Sequence, residues 1–318
     1  MVAVTVAAQE PPDAATLRKG EPPSGLIESP QSRPRPVTLE RTQQWTLRAA
    51  NGRQFEVSVA LPEGTAPQQG YPVLYVLDAN YSFGTLVEMV RNHETLFGPV
   101  VVVGVGYSSD AEMRNRFYDM TPPGTDASEL PKLFSEGWGP MGGAAEFRDF
   151  LTHDLRSAVK AIVPVDASRQ ALFGHSLGGL FALYVLFTRP ESFDTYVAGS
   201  PAIWWSNKVV LQELAAFVPR LRQAKGRRRL LITVGGLEGR NNPEELRYIE
   251  RLKLPGGKEM PEMADMIGNS RRLHEELAPL LPDALSVDYV VFPGETHNSV
   301  IPAYLGRGAR FALSGWYP

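Results

Sequence analysis

The sequence predicts a mostly parallel, doubly wound α/β sheet led by an antiparallel hairpin. Three observations lead there. Near-continuous apolar runs of strand length, 73–77 and 100–105 among them, alternate with stretches of helical spacing, as parallel strands covered on both faces do. Two segments of alternating polarity, 45–48 and 55–59, flank Asn51-Gly52, a strong hairpin-turn signal. Gly174-His175-Ser176-Leu177-Gly178-Gly179 lies between a short apolar run, 170–173, and the apolar stretch 180–187, which reads as strand, sharp turn, buried helix.

Composition bounds the rest. With 318 residues, 43% of them hydrophobic, the chain is long enough for one large core. A formal net charge of −3 and the lack of a long basic run argue against nucleic acid as a partner. Arg227-Arg228-Arg229, the densest basic stretch, reads as a solvated loop before a strand. There is no cysteine, which excludes disulfides, a thiolate nucleophile and cysteine-bound zinc. No apolar run reaches the ~18–20 residues of a membrane span. Val6-Ala7-Ala8 has the small residues of a cleavage site, so the chain is periplasmic or secreted if its start is a trimmed signal peptide, and cytoplasmic otherwise. A monomer or weak homo-oligomer is expected.

Taken in order, residues 1–38 are proline-rich without apolar period, an extended or disordered tail. Residues 39–318 read as a single domain. After the hairpin, the runs 73–77 and 100–105 bracket helical spacing over 85–97, a βαβ unit that makes the two strands parallel. Residues 108–143 are irregular and rich in glycine, proline and aromatics, the mark of a lid or binding loop. An amphipathic helix over 146–163 puts Phe147, Phe150, Leu151, Leu155, Val159 and Ile162 on one face. Strands follow at 194–199, 230–234 and 287–292. Helices are expected over 209–221, about 270–280, and from Asn298 or Ser299 onward. A polar insertion occupies about 239–268. No internal repeat is evident.

The G-x-S-x-G turn in that context is a nucleophile elbow, as in α/β-hydrolase folds. The turn strains the serine backbone and lifts its hydroxyl above the sheet, and Gly174, Gly178 and Gly179 are read as keeping the space clear. A serine hydroxyl needs a base, and histidine suits the task. His175 adjoins the serine and leaves the turn in another direction. His153 and His274 fall in helices, and His93 ends one far upstream. His297 follows the last strand, downstream of serine and acid as this fold's order requires. Glu238, just past the strand at 230–234, is the candidate acid that orients the imidazole. Asp288 and Glu295 rank below it, and a Ser–His dyad without acid stays open. The oxyanion needs two backbone N–H donors. One is Leu177, after the nucleophile. The other lies in the loop Leu77-Asp78-Ala79-Asn80, with Ala79 favoured over Asn80. All these residues lie just past strand carboxyl ends, where open α/β sheets bind ligands. No metal or phosphate motif appears. His274-Glu275-Glu276-Leu277 is not H-E-x-x-H, and Leu254-Pro255-Gly256-Gly257-Lys258 lacks the phosphate-loop spacing. No metal is therefore expected.

The run 147–205 resembles the esterase family of the α/β-hydrolase superfamily that includes siderophore (enterobactin-type) esterases and the esterase D relatives. The pieces that carry the likeness are Phe147-x-x-Phe150-Leu151, Gly174-His175-Ser176-Leu177-Gly178-Gly179-Leu180, Pro190-x-x-Phe193 and Ser200-Pro201-Ala202-Ile203-Trp204-Trp205. Tyr71 to Asp78, Arg116 to Pro122 and Phe292 to His297 extend it, over about residues 40–318. The resemblance implies cofactor-free cleavage of carboxylic esters, large trilactone siderophores among them. It also implies that Arg116 lines the substrate site. The family has glycine after the aspartate of the early strand, and this chain has Ala79.

The expected activity is that of a serine esterase working through an acyl-enzyme on a small-molecule ester. A peptidase or acyltransferase with the same residues, or a non-catalytic binding protein on this scaffold, are the alternatives. Trp204, Trp205, Phe117, Tyr118, Phe134 and Trp138 either line a roomy aromatic site near the lid or fill the core. The first option makes Trp205 a substrate-binding residue and a bulky or aromatic ester the substrate.

Overall fold

The computed structural model describes residues 37–317, apart from 110–113, 132–133, 135–138, 240–241 and 253–263. The proline-rich tail, Trp138 and Leu254 to Lys258 lie outside the described residues. Eight strands form one sheet in the order β1-β2-β4-β3-β5-β6-β7-β8. They are β1 Thr42–Arg48, β2 Gln54–Ala60, β3 Tyr71–Leu77, β4 Val101–Gly106, β5 Val165–His175, β6 Thr195–Gly199, β7 Arg228–Gly235 and β8 Leu285–Phe292. β1 pairs antiparallel with β2, and β2 with β4. Every other pairing is parallel. This is the α/β-hydrolase arrangement that the patterning and the elbow led us to expect.

The leading hairpin is set by its turn. Gly52 takes φ 85°, and the Asn51 side-chain oxygen accepts the Arg53 N–H at 3.1 Å. Trp45 then pairs with Val57 and Leu47 with Phe55, so the apolar side chains share one face.

β3 and β4 are buried at every residue because helices cover both faces. Their side chains alternate, as the pleat requires. Val73, Tyr75 and Leu77 join one core with α3, α4, α5 and α7. Here α3 runs through Ala144–Asp149, a π-helical Phe150–Leu155 and Arg156–Ile162; α4 is Leu177–Thr188, α5 Leu214–Gln223 and α7 Met266–Leu277. Leu74 and Val76 are equally buried but face the other way, the side covered by α1 (Ala79–Phe97) and α8 (Ile301–Trp316). α4 is apolar all round because it is enclosed all round, with Leu177 to Phe187 all buried.

The structure departs from the sequence expectation in several places. Arg228, read as part of a solvated loop, is buried at the start of β7. β5 begins at Val165, not Gln170; its first half is polar and partly exposed, so no apolar run marks it. The 108–143 stretch holds a short helix, α2 (Arg116–Asp119), and a 3₁₀ turn, Ala127–Glu129. The 239–268 insertion, expected as a polar loop, contains α6, Pro243–Leu252, in which Leu246, Ile249 and Leu252 recur at helical spacing among charged residues. α7 starts at Met266, ahead of Gly268, because Asp265 folds back over its first turn. A Cβ on residue 268 would collide with the Asp265 carboxylate.

α8 crosses the sheet at a glycine. A Cβ on Gly308 would lie 2.6 Å from a Phe173 ring carbon and 2.8 Å from a Val197 methyl, both fully buried residues. Alanine gains ~1 kcal/mol over glycine in a helix, and overpacking costs ~1–3 kcal/mol. Gly308→Ala is therefore expected to lower the urea midpoint with the slope unchanged. A raised midpoint would show that the sheet yields at this crossing.

Candidate active site

Five loops leave the carboxyl ends of adjacent strands β3, β5, β6, β7 and β8 on one rim, and each brings a polar side chain to it. The serine is presented by a strained turn. Ser176 follows β5 directly with φ 59° and ψ −116°, and α4 begins at the next residue. Its N–H donates to Gly199 O at 2.9 Å, and its carbonyl accepts from Ala202 N at 3.1 Å. The side chain is only half-buried. Two of the three glycines are sterically required. A Cβ on Gly174 would collide with the Gly178 carbonyl, and one on Gly179 would lie 2.8 Å from Gly199 O. Gly178 is not required: a Cβ there meets Asp78 Oδ2 at an ordinary 3.5 Å. That corrects the expectation for this glycine.

Glu238 and His297 meet beside the turn. Glu238 is 2% exposed, and its Oε2 lies 2.7 Å from His297 Nδ1. An ionised carboxylate only accepts, so Nδ1 carries the proton and Nε2 keeps a free lone pair. Glu238 Oε1 accepts from Gly235 N at 2.7 Å and from the Ser200 hydroxyl at 2.5 Å. The His297 ring lies 4.6 Å, centroid to centroid, from the ring of His175, the residue before Ser176. A hydrogen bond from the Ser176 hydroxyl to the imidazole is not among those formed. Such bonds often close only with substrate in place.

The opposite side of the elbow carries the first turn of α1. Leu177 and Ala79 each occupy the first position of a helix, α4 and α1, where no carbonyl of the same helix can accept the N–H. The positive φ of this loop falls on Asp78, at 51°. Ala79 is already helical, so alanine stands here without strain, and Gly104 leaves room for its methyl. Two contacts fix the turn. Arg116 Nε and Nη2 donate to the two oxygens of Asp78 at 2.9 and 2.8 Å. Asn80 exchanges side-chain bonds with the backbone N and O of Tyr107 at 3.0 and 2.8 Å. α2 is anchored at its other end too, where Arg53 Nη2 donates to Asp119 Oδ2 at 2.8 Å. Burial raises the Asp119 carboxyl above its ordinary range, with Arg53 opposing.

The two residues expected against substrate are both engaged with the protein itself. Trp205 is 1% exposed; its ring packs on Phe117, Phe134 and Trp204 at centroid distances of 5.4–5.9 Å and offers no face to a ligand. Arg116, expected against substrate, is turned to Asp78. Phe117 is buried in the same cluster, so these aromatics support the rim from beneath. Of the other histidines, His153 is exposed, while His274 stacks on Tyr289 and His93 on Phe97. His175 is buried between His297 and Tyr304. Burial first, then the proximity of His297 and Arg116, hold its pKa well below the ordinary value. Ser200 and Asp78 are the polar residues that had been given no role. Both directly follow a strand's carboxyl end, the signal that could have found them. Among the described residues no group of three His, Asp or Glu is placed to hold a metal ion, and no helix is long and apolar enough to cross a membrane.

Comparison with known proteins places the chain in a family. Residues 49–277 match the family model described as "Putative esterase". A ferri-bacillibactin esterase of Bacillus subtilis is 35% identical over 82% of this chain and 85% of its own. A siderophore triacetylfusarinine C esterase of Aspergillus fumigatus is 31% identical over 89% of this chain and 97% of its own. Among solved structures, the BES protein of Bacillus cereus superposes with a TM-score of 0.75 at 31% identity, covering 88% of this chain and 99% of that one.

Two outcomes follow from the elbow and its neighbour. Gly174→Ala should yield little folded protein, whereas Gly178→Ala should fold with a near-native urea midpoint; the reverse order would contradict the packing. His175 is neutral when folded and titrates normally when unfolded, so the unfolded chain binds the extra proton below about pH 6.5. Its contribution to stability is present above that pH and is lost as pH falls, by up to ~1.4 kcal/mol per unit. His175→Asn should flatten the fall in urea midpoint between pH 7.5 and pH 5. An unchanged slope would show that the imidazole charges within the fold.

Proposed function

This chain belongs to the esterase family, a carboxylic ester hydrolase by its relatives, and from that premise we propose that it hydrolyses siderophore-type esters by nucleophilic catalysis at Ser176. The relatives named for siderophore esters cover most of this chain and of their own, which supports the substrate class. What carries the residue assignment is the 2.7 Å contact of buried Glu238 with His297 Nδ1, on the rim that holds the strained Ser176.

In this mechanism Ser176 Oγ attacks the ester carbonyl carbon as its proton passes to His297 Nε2. The carbonyl π electrons move to oxygen. The N–H groups of Leu177 and Ala79 receive the oxyanion, and both are free of helix partners before substrate arrives. Glu238 keeps the proton on Nδ1 and stabilises the imidazolium. Collapse expels the alcohol, which takes the proton from Nε2, and leaves an acyl-Ser176. Water then attacks under the same base, and the acid departs as Ser176 regains its proton. The half-buried serine admits a bulky ester, while the enclosed Trp205 removes the structural support for an aromatic-specific pocket.

Ser176→Ala is expected to lower kcat on a p-nitrophenyl ester by on the order of 10³–10⁶-fold and to abolish labelling by a fluorophosphonate, with the fold intact. Glu238→Gln should lose about 10²–10⁴-fold. A loss below tenfold in Glu238→Gln would leave a Ser–His dyad, and substantial turnover by Ser176→Ala would remove the nucleophile. Trilactone siderophores, feruloyl esters, short acyl esters and peptide amides compared side by side test the substrate class; preference for the amides or the short esters would overturn it.

A further inference from the structure

Resting on the assignment of Glu238 as the orienting acid, we infer that Ser200 is a positioning residue. Its hydroxyl locks the Glu238 carboxylate in the one orientation that serves His297, and its turn couples the acid mechanically to the nucleophile. Ser200 touches no reacting atom and acts through Glu238 alone.

The strand order creates the opportunity. β6 lies between β5, which ends at the nucleophile, and β7, which leads to the acid. The turn after β6 therefore stands between the two. Its backbone grips the nucleophile from both sides, through Gly199 O on the Ser176 N–H and the Ala202 N–H on Ser176 O. The Ser200 N–H donates to Thr233 O of β7 at 2.7 Å. From that fixed point the hydroxyl reaches Glu238 Oε1 at 2.5 Å.

The division of labour on the carboxylate is specific. Oε1 takes Ser200 and Gly235 N, while Oε2 takes His297. A carboxylate is nearly symmetric about its terminal torsion and rotates readily when only one oxygen is held. With two donors converging on Oε1, rotation breaks two charge-assisted bonds. Oε2 therefore stays on the imidazole.

Conformation points the same way. Ser200 is fully buried and sits at φ 40°, a region in which a side chain costs about 1 kcal/mol or more and glycine almost nothing. A turn needing only that backbone shape would be better served by glycine. The hydroxyl is what serine adds.

The test is steady-state kinetics on a p-nitrophenyl ester with S200A and S200G, each in the wild-type and the Glu238→Ala background. Loss of a hydrogen bond to a buried charged group predicts a kcat about tenfold lower in both variants, with KM within twofold. In the Glu238→Ala background, either substitution should change kcat less than twofold. S200G adopts the positive φ freely, so it carries the test should S200A fail to fold. Wild-type kcat in S200G would assign the residue a purely conformational role and overturn the inference. So would an equal tenfold loss in the Glu238→Ala background. These failures are separable from failure of the proposed function: an active Ser176→Ala protein removes both readings, whereas an inactive one beside an unimpaired S200G removes only this one.

Discussion

One buried carboxylate organises the proposed catalytic side of the rim. Glu238 is enclosed by β6, β7 and the loop after β8, and a charge in that position costs several kcal/mol unless its oxygens are satisfied. Three donors from three segments meet that need: Ser200, the backbone of Gly235, and His297. Satisfying the charge is therefore the same act as assembling the site. Gly235 belongs to this arrangement by its size, since a Cβ there would lie 2.9 Å from Glu238 Oε1 and collide with the Glu295 carbonyl. The Leu237 N–H bonds that same carbonyl at 2.9 Å, which ties the acid's loop to the one that carries His297.

The proposed oxyanion side repeats the logic with an ion pair. Asp78 caps α1 in a left-handed conformation, and Arg116 grips both its oxygens. A partly buried pair of this kind adds little net stability, but a bidentate fork fixes direction. Direction is what a donor aimed at a developing charge requires. Arg116 lies in the 108–143 stretch, so the segment expected as a lid is also a strut for the α1 turn. Phe117 and Phe134 of that stretch pack with Trp204 and Trp205 beneath it.

Much of this was legible in the sequence, for identifiable reasons. The central strands announced themselves because burial on both faces leaves only apolar residues. The elbow did so because Gly174 and Gly179 answer to steric collisions, and the order of Ser176, Glu238 and His297 follows the order of the strands. Side-chain direction was not legible. Trp205 in a motif beside the serine reads equally as a ligand contact or as core, and only the packing partners decide. Arg116 carried a family expectation about substrate, while its partner lies 38 residues earlier in the chain. α6 was legible in the spacing of Leu246, Ile249 and Leu252, but the charged residues between them made the stretch read as a polar insertion.

Strain shows where the fold has been shaped for chemistry. Asp78, Ser176 and Ser200 each directly follow the last residue of a strand, β3, β5 and β6, and each holds a positive φ that glycine would adopt at almost no cost. Each costs about 1–3 kcal/mol, yet none is glycine. The side chain explains each case: Asp78 takes the Arg116 fork, Ser176 is half-exposed on the rim, and Ser200 bonds Glu238. A sharp turn after a parallel strand keeps the side chain at the carboxyl edge instead of letting it continue the pleat into the core. The strain at these three residues is the consequence of placing polar groups where the sheet ends, on adjacent strands, around one point.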